Sequence, residues 1–242
     1  MKKTIYYRIL FYAAGLLLLA LGLTLNTKAG LGVSAIISVS YSISLIFSYN
    51  FGNTTLALYG CFVVIQLFLH LYQMTRRRDS SSDLTAAPAS AKGKYLLLSD
   101  LLQFPLSIVF TRFLNIFSAV QPSIPEDDTS LPAIVFRVIL LLFAITFTGA
   151  GAAMSLNMRL IPNPGDGIVQ AISDTIHKSV GFTKNCFDLF NIALAVTISF
   201  LFAGHPEGIG IGTVLAVIGV GRVISFFNHF AYEKMRVLAG ME

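Results

Sequence analysis

Two aspartates carry the strongest chemical signal in this chain. Asp188 lies in an otherwise apolar run, four residues after Lys184 and three before Asn191. On a helix all three would share a face. An aspartate is too short to reach far out of a membrane, so it either pairs with Lys184 or with a basic residue on a neighbouring helix, or serves a path for a proton or cation. Asp166 follows Pro164-Gly165, where a helix cannot continue, and precedes Gly167. A helix starting there would point its N-terminal partial positive charge at a ligand, and Asp166 would oppose that charge locally and favour a cation or a proton.

Further polar residues mark the same kind of break elsewhere. Thr24-Leu25-Asn26-Thr27-Lys28 returns as Ser155-Leu156-Asn157-Met158-Arg159. Each copy closes an apolar run and precedes a Gly- or Pro-rich stretch. After Asn26 come Gly30 and Gly32, then Ser34. After Asn157 come Pro162, Pro164 and Gly165, then Asp166. Ser34 and Asp166 are both good helix N-caps. Phe113-Leu114-Asn115-Ile116-Phe117 likewise returns as Phe226-Phe227-Asn228-His229-Phe230. A chain built of two related halves with broken segments implies a transport path at their interface.

The elements that position these residues follow from composition. Hydrophobic residues make up 55% of the chain and charged residues 12%, with a mean hydropathy of +0.74. Soluble domains carry about 25% charged residues, so this is an integral membrane protein. The net charge of +5 sits in groups flanking apolar segments, and no nucleic-acid partner is expected. Cys61 and Cys186 form no CxxC or Cys/His cluster, and neither a disulfide framework, a metal nor another cofactor is expected.

Six segments have the roughly 20 apolar residues that a span requires: 6–26, 55–74, 95–117, 132–157, 184–203 and 208–230. Two more, 34–48 and 166–179, are short and polar. Charge decides the count. Lys2-Lys3, the linker from Arg76 to Lys94, and Lys234 with Arg236 belong inside; the acidic loop at Glu126-Asp127-Asp128 belongs outside. Six spans satisfy all of these and seven do not. The expected fold is therefore an all-α membrane protein with six transmembrane helices and two short re-entrant or interfacial helices. It divides into two three-span repeats, 1–118 and 132–242, joined by an extracytoplasmic linker over 119–131. The first repeat carries a cytoplasmic linker over about 75–95. An odd number of spans per repeat inverts the second copy, with both termini cytoplasmic in a bacterial plasma membrane.

Other charged groups have blander expectations. Asp100 and Lys184 read as solvated groups at the inner boundary, His70 as interfacial, and Arg112 as a side chain that snorkels outward. Gln66 shares a helix face with His70, and Asp100 with Gln103. Gly149, Gly151, Gly208, Gly210 and Gly212 allow close helix approach.

Gly208-Ile209-Gly210-Ile211-Gly212-Thr213-Val214, with Gly30-Leu31-Gly32-Val33-Ser34 and Pro164-Gly165-Asp166-Gly167, resembles the YczE/YyaS/YitT-type bacterial membrane proteins. In the first repeat Ser34-Ala35 stands where that family's pattern has Pro and a polar residue nearby. The resemblance implies a duplicated membrane protein and supplies no substrate.

The expected function is a small-solute transporter or channel-like permease, passive or ion-coupled, rather than an enzyme. Asn26, Ser34 and Ser38 from one half, and Asn157, Asp166, Gln170 and Asp188 from the other, would line its path. The expected partners are the lipid bilayer, a small solute and a coupling proton or cation, with a homo-oligomer or a membrane partner left open. The alternative is an accessory or regulatory membrane protein that acts through a partner and transports nothing.

Overall fold

The computed structural model describes residues 2–80, 87–122 and 128–241. The described residues form eight helices: α1 (Lys2–Ala29), α2 (Ala35–Ile46), α3 (Phe51–Ser80), α4 (Ala87–Val120), α5 (Leu131–Asn157), α6 (Pro164–Ile176), α7 (Val180–Phe202) and α8 (Ile211–Leu238). Six of them are long and apolar enough to cross a membrane. The protein is a multi-pass membrane protein by that criterion. Large apolar side chains such as Phe68, Leu101, Phe143 and Ile211 point outward, as a lipid solvent allows.

Several helix limits differ from the sequence expectation. The linker over 75–95 is largely helical, because α3 runs on to Ser80 and α4 begins at Ala87. Polar sequence there permits a helix that hydropathy alone would end early. Positions 81–86 lie outside the described residues, as do Glu126 and Asp127 of the acidic loop. Asp128 remains. It accepts from the Ser130 backbone N–H at 3.0 Å, and hydrogen bonds from Ser130 hold its carboxyl below the ordinary carboxylate range. Ser130 in turn caps α5, accepting from Ala133 N–H.

The last helix starts at Ile211 rather than Gly208, because the preceding glycines have another task. Val33 N–H donates to the Gly208 carbonyl at 2.9 Å, and Gly212 N–H donates to the Leu31 carbonyl at 2.7 Å. The break after α1 and the lead into α8 thereby satisfy one another's backbone. Gly32, at φ +101°, lies against the Gly210 backbone where a Cβ would not fit.

The centre of the fold is the α1–α5 pair. Arg8 near the start of α1 donates to the carbonyls of Met158 and Arg159, at the end of α5, at 2.8 and 3.1 Å. Gly15 lies against Gly151 and Ser155, and Gly22 against Ala144 and Thr148. The two helices are therefore antiparallel, and small residues bring their backbones into contact. Gly22→Leu should open this seam, because even a Cβ at Gly22 meets the Thr148 backbone. Overpacking of this kind costs about 1–3 kcal/mol or more. A lowered thermal midpoint in detergent is the expected result, while Gly221→Leu, in open space, should leave it unchanged.

Around this pair the packing is reciprocal. α1 packs on α4, and α5 on α8; α2 packs on α7, and α6 on α3. The largest departure from reciprocity is that α3 and α4 pack closely, whereas α7 and α8 make no comparable contact. A groove of about 580 Å³ lies beside them, lined by Asn185, Val217, Ile218, Gly221, Arg222 and Ser225.

The short helices α2 and α6 have 12 and 13 residues, or about 18–20 Å at 1.5 Å per residue. Neither could cross a hydrocarbon core of about 30 Å. Both bury most of their length inside the bundle. α2 buries Ser38, Ser40, Ser42 and Ser44 with its apolar residues; Ser40 meets Thr55 of α3 at 3.1 Å, and Ser42 donates to the Glu207 carbonyl at 2.6 Å.

Candidate functional site

The break before α6 is held by its neighbours. Tyr12 of α1 donates to the Ile161 carbonyl at 2.6 Å, and Gln66 of α3 donates to the Pro164 carbonyl at 3.3 Å. The cap is not Asp166, as the sequence suggested, but Asn163, whose side chain accepts from Gly165 N–H at 3.1 Å. Pro164 at the first helical position needs no N–H partner. Asp166 is therefore three residues further on, in the first turn, where its carboxylate does not serve as the cap. Ser34 does occupy the N-cap position of α2, but makes no side-chain capping bond.

Asp166 lies within electrostatic reach of both Lys184 and Asp188 on α7. Asp188 is 4% exposed and bonds the Lys184 ammonium at 3.1 Å, one turn away on the same helix. Lys184 itself is half-buried. Tyr59 of α3, wholly buried, turns toward Asn163 and lies within reach of Asp166. Phe62 of α3 packs edge-on against Phe187 of α7, with ring centroids 5.4 Å apart. The site thus joins α3, the start of α6 and the first half of α7. It holds two carboxylates and one ammonium, an arrangement that favours one further positive charge.

The other residues expected to line a path are spread out. Asn26 is buried near the end of α1, and its Oδ1 has no hydrogen-bond partner among the described residues. Asn157 ends α5 and donates to Asn228 of α8 at 2.8 Å. Because α1 and α5 are antiparallel, these two asparagines lie at opposite ends of the pair. Ser38 is fully buried and donates to its own helix at the Ala35 carbonyl, 2.8 Å away. Gln170 is exposed and donates to Asp174 at 3.0 Å. Asn191, on the Asp188 face, donates to the Phe187 carbonyl at 2.8 Å. Arg112 is exposed and donates to Asn53 at 3.0 Å.

A second polar cluster adjoins the site, and it corrects two sequence expectations. Neither His70 nor Asp100 faces solvent: both are buried, and His70 Nδ1 lies 2.6 Å from Asp100 Oδ2. Gln103 Nε2 donates to Asp100 Oδ1 at 3.3 Å and to Gln66 Oε1 at 3.0 Å. Gln66 then reaches the Pro164 carbonyl. A continuous polar chain therefore runs from His70, through two glutamines that are at most 1% exposed, to the break before Asp166. Gly167 leaves room for it, since a Cβ there would meet both glutamine side chains. The shared faces of Gln66 with His70 and of Asp100 with Gln103 were legible; their meeting across two helices was not.

A family model described as "Family of unknown function (DUF6198)" matches residues 6–229. The chain belongs to the DUF6198 family. Among curated proteins, this DUF6198 chain is 30% identical over 109 residues to an uncharacterized protein of Haemophilus influenzae (strain ATCC 51907 / DSM 11121 / KW20 / Rd). The matched stretch covers 42% of this chain and 47% of that relative, so it spans about half of the relative's length. No solved structure matches the DUF6198 chain. These findings establish an uncharacterised family, a coarser result than the YczE/YyaS/YitT-type resemblance.

Proposed function

We propose that this protein is a small-solute permease whose path runs between two inverted three-span halves, with Asp166 and Asp188 carrying the coupling or substrate charge. The observation that carries this reading is the Asp166–Asp188–Lys184 cluster at the broken entry to α6. Backbone breaks at membrane depth are tolerated where they are buried in protein or line a cavity. Here the break is held by hydrogen bonds from Tyr12 and Gln66, and it presents a carboxylate that caps nothing.

The reciprocal packing of α1–α5, α2–α7 with α3–α6, and α1–α4 with α5–α8 supports two equivalent halves. So do the repeated Asn26/Asn157 and Asn115/Asn228 motifs. The buried state of α2 and α6 favours re-entrant helices over interfacial ones. In this reading both termini are cytoplasmic, the membrane is a bacterial plasma membrane, and the kinship with YczE/YyaS/YitT-type proteins extends to the duplication. A cluster of two carboxylates and one ammonium suits a cationic solute, or a proton travelling with a neutral one.

Purified protein in sealed vesicles tests the proposal. Vesicles are exposed in turn to radiolabelled amino acids, simple amines, sugars and inorganic ions, with uptake of label and an internal pH-sensitive dye both read. Flux of one class above that of protein-free vesicles is the expected result. Permeability equal to that of empty vesicles for every class would favour the accessory reading, in which the protein acts through a membrane partner.

A further inference from the structure

Asn115 and Asn228 occupy matching places in the repeated Phe-x-Asn-x-Phe motif, yet they have different partners. Asn115 Oδ1 accepts from Gly52 N–H, in the first turn of α3, at 3.0 Å. Asn228 Oδ1 accepts instead from Asn157 at the end of α5. The repeat relates each asparagine to the other's partner. Asn157 corresponds to Asn26 in the first half. With the starts of α3 and α7 aligned, Gly52 corresponds to Gly181.

Both unused partners are marked. Asn26 is 1% exposed, and its Oδ1 has no hydrogen-bond partner among the described residues. Leaving such an acceptor buried costs about 1–3 kcal/mol, so its retention calls for a state in which it is satisfied. α1 already meets α4 close by, where Gln121 donates to Thr24 at 2.9 Å. Gly181 has nothing within 4 Å of the position a side chain would take. Its counterpart Gly52 must be glycine, because Asn115 lies against it. A glycine in open space near the start of a helix has no packing reason in the conformation described.

The tertiary packing follows the same division. Where Asn115 caps α3, helices α3 and α4 are closed, and Arg112 adds a bond to Asn53. Where Asn228 is held by Asn157, helices α7 and α8 stand apart beside the groove at Asn185, Arg222 and Ser225.

We propose that Asn115 and Asn228 are the positioning residues of an alternating cycle in which the two halves exchange conformations. In the second state Asn115 leaves Gly52 and bonds Asn26, so that α3 and α4 part. Asn228 leaves Asn157 and caps Gly181, so that α7 closes on α8. The two states have the same kinds of hydrogen bond and differ in which half is open. They are therefore close in free energy, as a switch requires. The cycle rests on the inverted-repeat permease described above and supplies its gating step.

Disulfide trapping in membranes tests the exchange. In a background with Cys61→Ser and Cys186→Ser, one variant carries Asn53→Cys with Arg112→Cys, across the closed α3–α4 contact. Another carries the corresponding pair across the groove, Phe182→Cys with Ser225→Cys. Mild oxidation should produce intramolecular disulfides in both. Adding Asn157→Leu, which removes only the first state's bond to Asn228, should raise the 182–225 product and lower the 53–112 product by about fivefold, the factor that one hydrogen bond carries; Asn26→Leu, which removes only the second state's bond, should do the reverse.

Trapping of 53–112 without any 182–225 disulfide would overturn the exchange, whatever the asparagine variants do. If those variants fail to fold, the two cysteine pairs still decide. Flux without 182–225 trapping would leave the permease standing and remove this cycle. Trapping at both pairs without flux of any solute would do the opposite.

Discussion

Asp188→Asn abolishes solute flux in reconstituted vesicles while the protein stays folded. The side chain is nearly isosteric and retains an oxygen that Lys184 can bond. Lys184 is half-buried and can reach water, so the lost ion pair costs about 1 kcal/mol or less. The change in the site is far larger. With Asp188 neutral, one carboxylate faces one ammonium, and the excess negative charge that would hold a cation or accept a proton is gone. Asp166→Asn has the same result for the same reason, and its effect on folding is small because Asn163, not Asp166, caps α6. Asp174→Asn, on the outward face of α6, serves as the control and should retain flux. Full flux in both Asp166→Asn and Asp188→Asn would remove the coupling role. Loss of folded protein in either would assign that aspartate to the framework.

His70→Leu destabilises the protein by about 3–5 kcal/mol, the usual cost of leaving one member of a buried polar pair behind. Asp100 is 3% exposed and loses its 2.6 Å partner. Gln103 remains bonded to it at 3.3 Å, too weakly to compensate. The double variant His70→Leu with Asp100→Leu should recover most of the loss, because no carboxylate then stays buried in an apolar setting. Thermal midpoints in one detergent, measured side by side, check the ordering. Equal losses in the single and double variants would mean that the pair acts through packing alone. The polar chain would then need another reason to end at the Pro164 carbonyl.

The number of spans, the short helices and the polar breaks could all be read in the sequence. Hydropathy over 20 residues is a strong signal, and Pro162, Pro164, Gly30 and Gly32 interrupt it plainly. The Lys184–Asp188 pair was legible too, since both residues belong to one helix and i,i+4 spacing brings them together. Contacts between helices were not. His70 and Asp100 each sit near the polar end of a span, where a boundary residue looks the same as a buried one. Asn163 and Asp166 are both good capping residues, and nothing local to the Pro164-Gly165 break decides between them. The Gly208–Gly212 run looks like part of a span, although Gly208 and Gly212 pair with Val33 and Leu31. Nothing local announces a hydrogen bond between segments so far apart in the chain.

The inverted duplication is the central claim, and side-specific labelling tests it most directly. Asn50, one residue before α3, and Lys178, two residues before α7, are both exposed and lie at equivalent ends of the two halves. In the background with Cys61→Ser and Cys186→Ser, Asn50→Cys and Lys178→Cys are introduced singly. Each is treated with a membrane-impermeant maleimide on intact cells and on inverted vesicles. The account predicts labelling of Asn50→Cys from outside only and of Lys178→Cys from the cytoplasmic side only. Labelling of both from the same side would contradict it.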